Sequence, residues 1–166
     1  GQWPFLDQFE GWKNEKGSGA SDVTYEFQSV SCRTNQSSKG ELSQYDGSGK
    51  NNIFFSTAPS YLTIGNIAVS GKDHRLSFGA QRYSQGASNA FIKFDFEVRL
   101  SADGEIWSQA LDYSFGEVED VPGEWRLATV DFTLPDGVNS LYIKFIPKMS
   151  SVNRIDDVLL VSGSGG

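Results

Sequence analysis

Phe91-Ile92-Lys93-Phe94-Asp95-Phe96-Glu97-Val98-Arg99-Leu100 places apolar side chains at 92, 94, 96, 98 and 100 and charged ones at 93, 95, 97 and 99. Successive residues of a strand point to opposite sides, so this pattern sends five apolar groups into one core and four charges into water. A helix would scatter them around its axis. Ser101-Ala102-Asp103-Gly104-Glu105 comes next, and its Asp-Gly pair tolerates the positive φ of a tight turn, which predicts a hairpin reversing the chain into Ile106 and Trp107. Strand and turn together indicate antiparallel β structure.

The same alternation recurs on both sides of that stretch. Trp3 to Trp12 is rich in aromatics and reads as a first strand; Val23, Tyr25 and Phe27 mark a second that runs towards Cys32. Asn52 to Ser56, Tyr61 to Val69 and Leu76 to Ala80 come after it, with a turn at Gly71-Lys72-Asp73 that also takes in His74. Beyond Trp107 come an apolar return from Ala110 to Phe115, a strand over Ala128 to Leu134, a turn at Pro135-Asp136-Gly137, and strands over Leu141 to Phe145 and Arg154 to Val161. No window has a helical period. Nine or so short strands predict an all-β, antiparallel β-sandwich, most simply a jelly roll, as one domain over 1–161 with 162–166 as a flexible Gly/Ser tail. Asn35 to Gly49 is a long polar loop interrupted only by Leu42 and Tyr45, and loops of that length hold a ligand or ion or are mobile.

The chain of 166 residues suits one domain, which buries about 70% of the surface its unfolded chain exposes. Lys and Arg number 14 against 21 Asp and Glu, and the net charge of −7 repels a phosphate backbone and an anionic membrane surface, so nucleic acid is excluded as an expected partner. No stretch approaches the roughly 20 apolar residues of a membrane span, and Gly1 to Phe9 has no signal-peptide pattern, so a mature or excised module without membrane insertion is expected. The single cysteine, Cys32, excludes an internal disulfide and a thiolate cluster and is expected in the core.

Phe9-Glu10-Gly11-Trp12, Leu76-Ser77-Phe78-Gly79, Leu100 to Trp107 and Asn153-Arg154-Ile155-Asp156-Asp157-Val158, in that order, resemble the jelly-roll modules called choice-of-anchor J. These belong to the broader galactose-binding-like and carbohydrate-binding-module-like sandwiches. The resemblance implies a galactose-binding-domain-like, non-catalytic accessory module at an extracellular or cell-surface location, part of a larger surface protein or lipoprotein of a bacterium. In the related sandwiches a structural calcium is held between the first and last strands by a Glu near the start, an Asp in the last strand and backbone carbonyls; Glu10 and Asp156 match those places. Calcium takes six to eight oxygens, so the loops around Asp22 or Asp46 are expected to add ligands. Adjacent residues of a strand face opposite ways, which sets Asp156 and Asp157 on different faces; the alternative for either is a pair with Arg154 or a cap on loop backbone.

Glycan is the expected ligand, because sugar C–H faces stack on exposed Trp and Tyr rings beside polar side chains that bond hydroxyls. Trp12, Tyr83, Trp107, Tyr113 and Trp125 are the candidate rings. Tyr83 leads, with Arg82, Gln85 and Asn89 near it, while Trp107 and Trp125 also suit plain sheet packing. Asp95 and Glu97 share one strand face about 7 Å apart, as glycosidase carboxylates do in some jelly rolls. Those enzymes carry Glu-x-Asp-x-Glu, and Lys93 stands in the first Glu position here, so no enzyme is expected and the row reads as a solvated face. His74 has no Gly-x-Ser-x-Gly or His-Glu-x-x-His context. The second function considered is a structural or adhesive spacer, which predicts rings packed inward.

Overall fold

The computed structural model describes residues 5–12, 22–56, 59–82, 96–115, 121–148 and 153–163. Ten strands lie in those residues: β1 (Phe5–Asp7), β2 (Thr24–Gln28), β3 (Val30–Arg33), β4 (Asn52–Phe55), β5 (Tyr61–Ala68), β6 (Asp73–Arg82), β7 (Phe96–Ser101), β8 (Arg126–Thr133), β9 (Ser140–Pro147) and β10 (Asn153–Ser162). They form two antiparallel sheets. One is six-stranded with the order β3-β4-β10-β6-β8 and β1 also paired to β10; the other is four-stranded with the order β2-β5-β9-β7. The all-β jelly-roll sandwich expected from the sequence is the architecture found.

Alternation produces the core. Ile53, Phe55, Leu76, Phe78, Ala80, Ile155 and Leu160 of the larger sheet and Leu62, Ile64, Phe96, Val98, Ile143 and Phe145 of the smaller are all buried. Across the gap Phe55 meets Phe96 at 5.0 Å between ring centroids and Phe78 meets Phe145 at 5.3 Å, both edge-on, which suits the ring quadrupole. In β7 the inward set Phe96, Val98 and Leu100 matches the register read from the sequence, while Ile92, Phe94 and Asp95 lie outside the described residues. β1 is tied down through Asp7, which accepts the Phe9 N–H at 2.9 Å and the Tyr25 hydroxyl at 2.5 Å.

Four local expectations change. The chain does turn at 101–105, where Ser101 Oγ accepts the Gly104 N–H and Asp103 accepts the N–H groups of Glu105 and Ile106. Past the turn the chain makes an irregular return along β7 rather than a strand, held by Ser108 N–H to the Leu100 carbonyl and Leu111 N–H to the Val98 carbonyl. His74 belongs to β6, buried and stacked on Phe132, because the strand already begins at Asp73. Cys32 is half-buried at the core margin; burial foremost pushes its thiol up, with help from the charges of Asp156 and Glu10. β10 runs through Ser162, and the Gly163 N–H donates to the Asp73 carbonyl at 2.6 Å, so the first residues assigned to a tail are bonded to the sheet.

Truncating Phe96 to Ala leaves a cavity against Phe55 and is expected to cost about 3–5 kcal/mol in urea unfolding. Lys72→Ala, at an exposed ion pair with Asp136, should leave the midpoint where it was. A Lys72 variant as unstable as the Phe96 variant contradicts the assigned core.

Candidate functional site

The two outer faces of the sandwich differ. Part of the outer face of the larger sheet is covered by the 34–51 loop, and the cover starts at a bulge in β10, while Arg75 and Asp131 stay exposed on the same face. Asp156 pairs with Gly79 and Leu159 with Ser77, so β10 spends one extra residue there, and Asp157 sits at φ 54° in the left-handed region that Asp tolerates. The extra residue keeps Ile155, Val158 and Leu160 all facing the core and turns Asp157 to the same side as Asp156. This corrects the expectation that the two carboxylates face opposite ways. Asp156 Oδ2 accepts Ser38 Oγ at 2.7 Å; Asp157 Oδ2 accepts the Tyr45 hydroxyl at 2.8 Å and the Ser48 N–H at 3.1 Å. Tyr45 lies on Gly79, where a Cβ would fall 1.9 Å from its hydroxyl oxygen.

The same loop is fastened from above. Trp125 N–H donates to the Leu42 carbonyl, Gln44 N–H to the Trp125 carbonyl, and the Trp125 indole N–H to the Gln36 carbonyl at 2.9 Å. The long loop is thus a packed cover. Burial foremost, and then the neighbouring charge of Asp157, push the Asp156 carboxyl up to about 8. Burial and Asp157 likewise push the Tyr45 phenol up, which keeps it a hydrogen-bond donor.

The outer face of the smaller sheet has no such cover among the described residues. Glu26, Thr63, Lys144 and Arg99 stand in one cross-strand row, from the pairings Glu26↔Thr63, Thr63↔Lys144 and Arg99↔Lys144. The Lys144 ammonium lies 4.6 Å from the Tyr61 ring centroid and 5.3 Å from the Trp107 ring, both rings half-exposed. A third ring, Tyr142, lies against Gly65, where a Cβ would fall 2.3 Å from it, so only glycine lets the ring lie on the strand. Glu97 is shared by Lys148 at 2.5 Å and Arg99 at 3.2 Å, and Lys148 foremost holds its carboxyl below the usual range. Tyr61 donates its hydroxyl to Glu26 at 3.1 Å. A cleft of about 350 Å³ lined by Phe96, Glu97, Leu111, Asp112, Tyr113 and Lys148 continues this face past β7.

Of the rings expected to bind, Trp107 is on this surface. Trp12 is not: it is 1% exposed and packed on Phe9, Tyr25 and Phe27. Trp125 and Tyr113 are buried too, the first under the loop and the second with its hydroxyl on the Phe96 carbonyl. Arg82 ends β6, paired with Asn153, while Tyr83, Gln85 and Asn89 lie outside the described residues. Glu10 is exposed, its Oε2 accepting from Asn51 at 3.1 Å, and no described contact joins it to Asp156. Among the described residues no three of His, Cys, Asp and Glu converge as a metal-ligand group. Asp46 makes none of the described contacts with the Asp156 carboxylate; the oxygens around it come from Asp157, Ser38 and Ser48. Tyr61 and Tyr142 were missed by the sequence reading, since their alternation within β5 and β9 marks strands but not which outer face stays open.

The CBM22-1 xylan-binding domain of Paenibacillus barcinonensis Xyn10C matches with a TM-score of 0.55 at 11% identity, over 96% of this chain and 95% of that one. The K1 cleaved adhesin domain of Lys-gingipain from Porphyromonas gingivalis matches at 0.58 and 12% identity, over 98% and 100%. A family 35 carbohydrate binding module from Clostridium thermocellum matches at 0.52 and 12%, over 98% and 100%. The chain has the fold of these modules. No family model and no curated protein matches it in sequence.

The buried acid pair makes stability depend on pH. The folded state holds a proton on Asp156 up to about 8, while the unfolded chain releases it near 3.8, so the folded state binds more protons in between. In chelator, stability should therefore fall as pH rises through that window. Asp156→Asn should flatten the fall in urea unfolding across the same range; an unchanged slope contradicts the geometry of the pair.

Proposed function

We propose that the chain is a non-catalytic carbohydrate-binding module that acts outside the cell or on its surface as part of a larger protein. The observation that carries this reading is the trio Tyr61, Lys144 and Trp107 on the open sheet face. Both ring centroids are close to one nitrogen, so they lie no further apart than the length of a disaccharide. Two half-exposed rings at that separation offer stacking surfaces for sugars, and Glu26 and Arg99 beside them offer hydroxyl partners. The fold shared with modules described as xylan-binding and carbohydrate-binding supports it. Catalysis is not part of the proposal: Glu97 is neutralised by two cations, which is the setting of a structural carboxylate rather than of a nucleophile or an acid.

The test is affinity electrophoresis against a panel of soluble polysaccharides. Trp107→Ala and Tyr61→Ala should each weaken binding by about tenfold, on the order of the cost of a lost aromatic contact. Arg75→Ala, on the outer face of the larger sheet, should leave binding intact. Absence of retardation by every polysaccharide would favour the adhesive or spacer module instead.

Calcium is proposed beside Asp156. The carboxylates of Asp156 and Asp157, the hydroxyls of Ser38 and Ser48 and the Gly49 carbonyl that accepts from Ser38 make an all-oxygen set of the hard kind calcium takes. A bound cation would also offset the burial, and the lesser repulsion from Asp157, that push the Asp156 carboxyl up. Added calcium should raise the melting temperature of chelator-treated protein, by an amount corresponding to about 2.7 kcal/mol at a hundredfold excess over Kd. Asp156→Asn should abolish the rise, and identical melting with and without calcium would refute the site.

A further inference from the structure

We propose that the open sheet face selects glycans bearing carboxylates, with Lys144 as the group that meets the sugar carboxylate; this rests on the glycan-binding reading above. The protein as a whole is acidic, with a net charge of −7, yet this face is not. Its described charges are Lys144, Arg99 and Lys148 against Glu26, Glu97 and, in the cleft beyond β7, Asp112. Glu97 is already divided between Arg99 and Lys148, and Glu26 takes the Tyr61 hydroxyl. Among the described residues no carboxylate lies within ion-pair distance of the Lys144 ammonium, whose described partners are the two rings. Lys144 is half-buried as a residue, and an ammonium against aromatic faces is in part shielded from water, so a carboxylate reaching it gains more than at an exposed lysine.

The arrangement also suits the geometry of a uronic acid. The carboxylate of such a sugar projects from the ring edge, and here the cation that would meet it lies against two half-exposed rings at 4.6 and 5.3 Å. The acidic remainder of the surface repels polyanions at large, so recognition is confined to a chain that can place a carboxylate at this one point.

Affinity electrophoresis of the whole chain distinguishes the possibilities, using polygalacturonate, alginate and glucuronoxylan, each also tested after chemical reduction of its carboxylates to primary alcohols. The native form of at least one polymer should bind about tenfold more tightly than its reduced form, a preference that shrinks as salt is raised. Lys144→Gln should bring native and reduced forms level, and Lys144→Arg, which keeps the charge, should preserve the preference. Equal binding of native and reduced polymers by the wild-type protein, or a preference that survives in Lys144→Gln, overturns the selection of carboxylates and leaves glycan binding standing. Binding confined to neutral glycans such as unsubstituted xylan overturns it in the same way, whereas no binding to any glycan overturns both.

Discussion

Much of this structure depends on the single extra residue that β10 accommodates at Asp157. Without it, strict alternation after Ile155 would aim Asp157 into the core and turn Val158 outwards. With it, the apolar side chains at 155, 158 and 160 all reach the core and two carboxylates leave on one side. Those carboxylates need donors, and the 34–51 loop supplies them from Ser38, Tyr45 and Ser48. The loop also depends on a second constraint, since Gly79 gives Tyr45 the room to lie on the sheet.

The loop covers part of one outer face, while the other has no such cover among the described residues. On the smaller sheet the residues that define the surface come from three strands and from the return after the turn: Tyr61 from β5, Tyr142 and Lys144 from β9, Arg99 from β7, and Trp107 beyond it. Antiparallel pairing fixes them side by side, because Lys144 stands opposite Thr63 on one flank and Arg99 on the other. Apart from Trp107, the surface is therefore carried by paired strands. The ion pairs of Glu97 engage Arg99 and Lys148 while leaving Lys144 to the rings.

The strands were legible because a period of two is written locally, as in Phe96, Val98 and Leu100. The turn after Leu100 was legible for the same reason. The bulge was visible only as a broken rhythm: Ile155 and Val158 are three apart, which two-residue alternation cannot place on one face. Asp-Asp at that point reads as two opposed carboxylates unless the extra residue is recognised. Trp12 and Trp125 show why candidate rings cannot be ranked from composition. Their burial is decided by Phe27 in one case and by a loop some eighty residues earlier in the other. Tyr61 and Lys144 are likewise far apart in sequence and meet only through the register of β5 on β9.

On the proposed reading, ligand meets the uncovered face of the four-stranded sheet and not the face under the 34–51 loop. Backbone and indole chemical shifts followed by NMR during titration with a bound oligosaccharide test it most directly. Shifts should concentrate at Tyr61, Thr63, Arg99, Tyr142, Lys144 and the Trp107 indole, with the Trp12 and Trp125 indoles unmoved. Shifts concentrated instead at Ser38, Tyr45, Ser48 and Asp157 would contradict it.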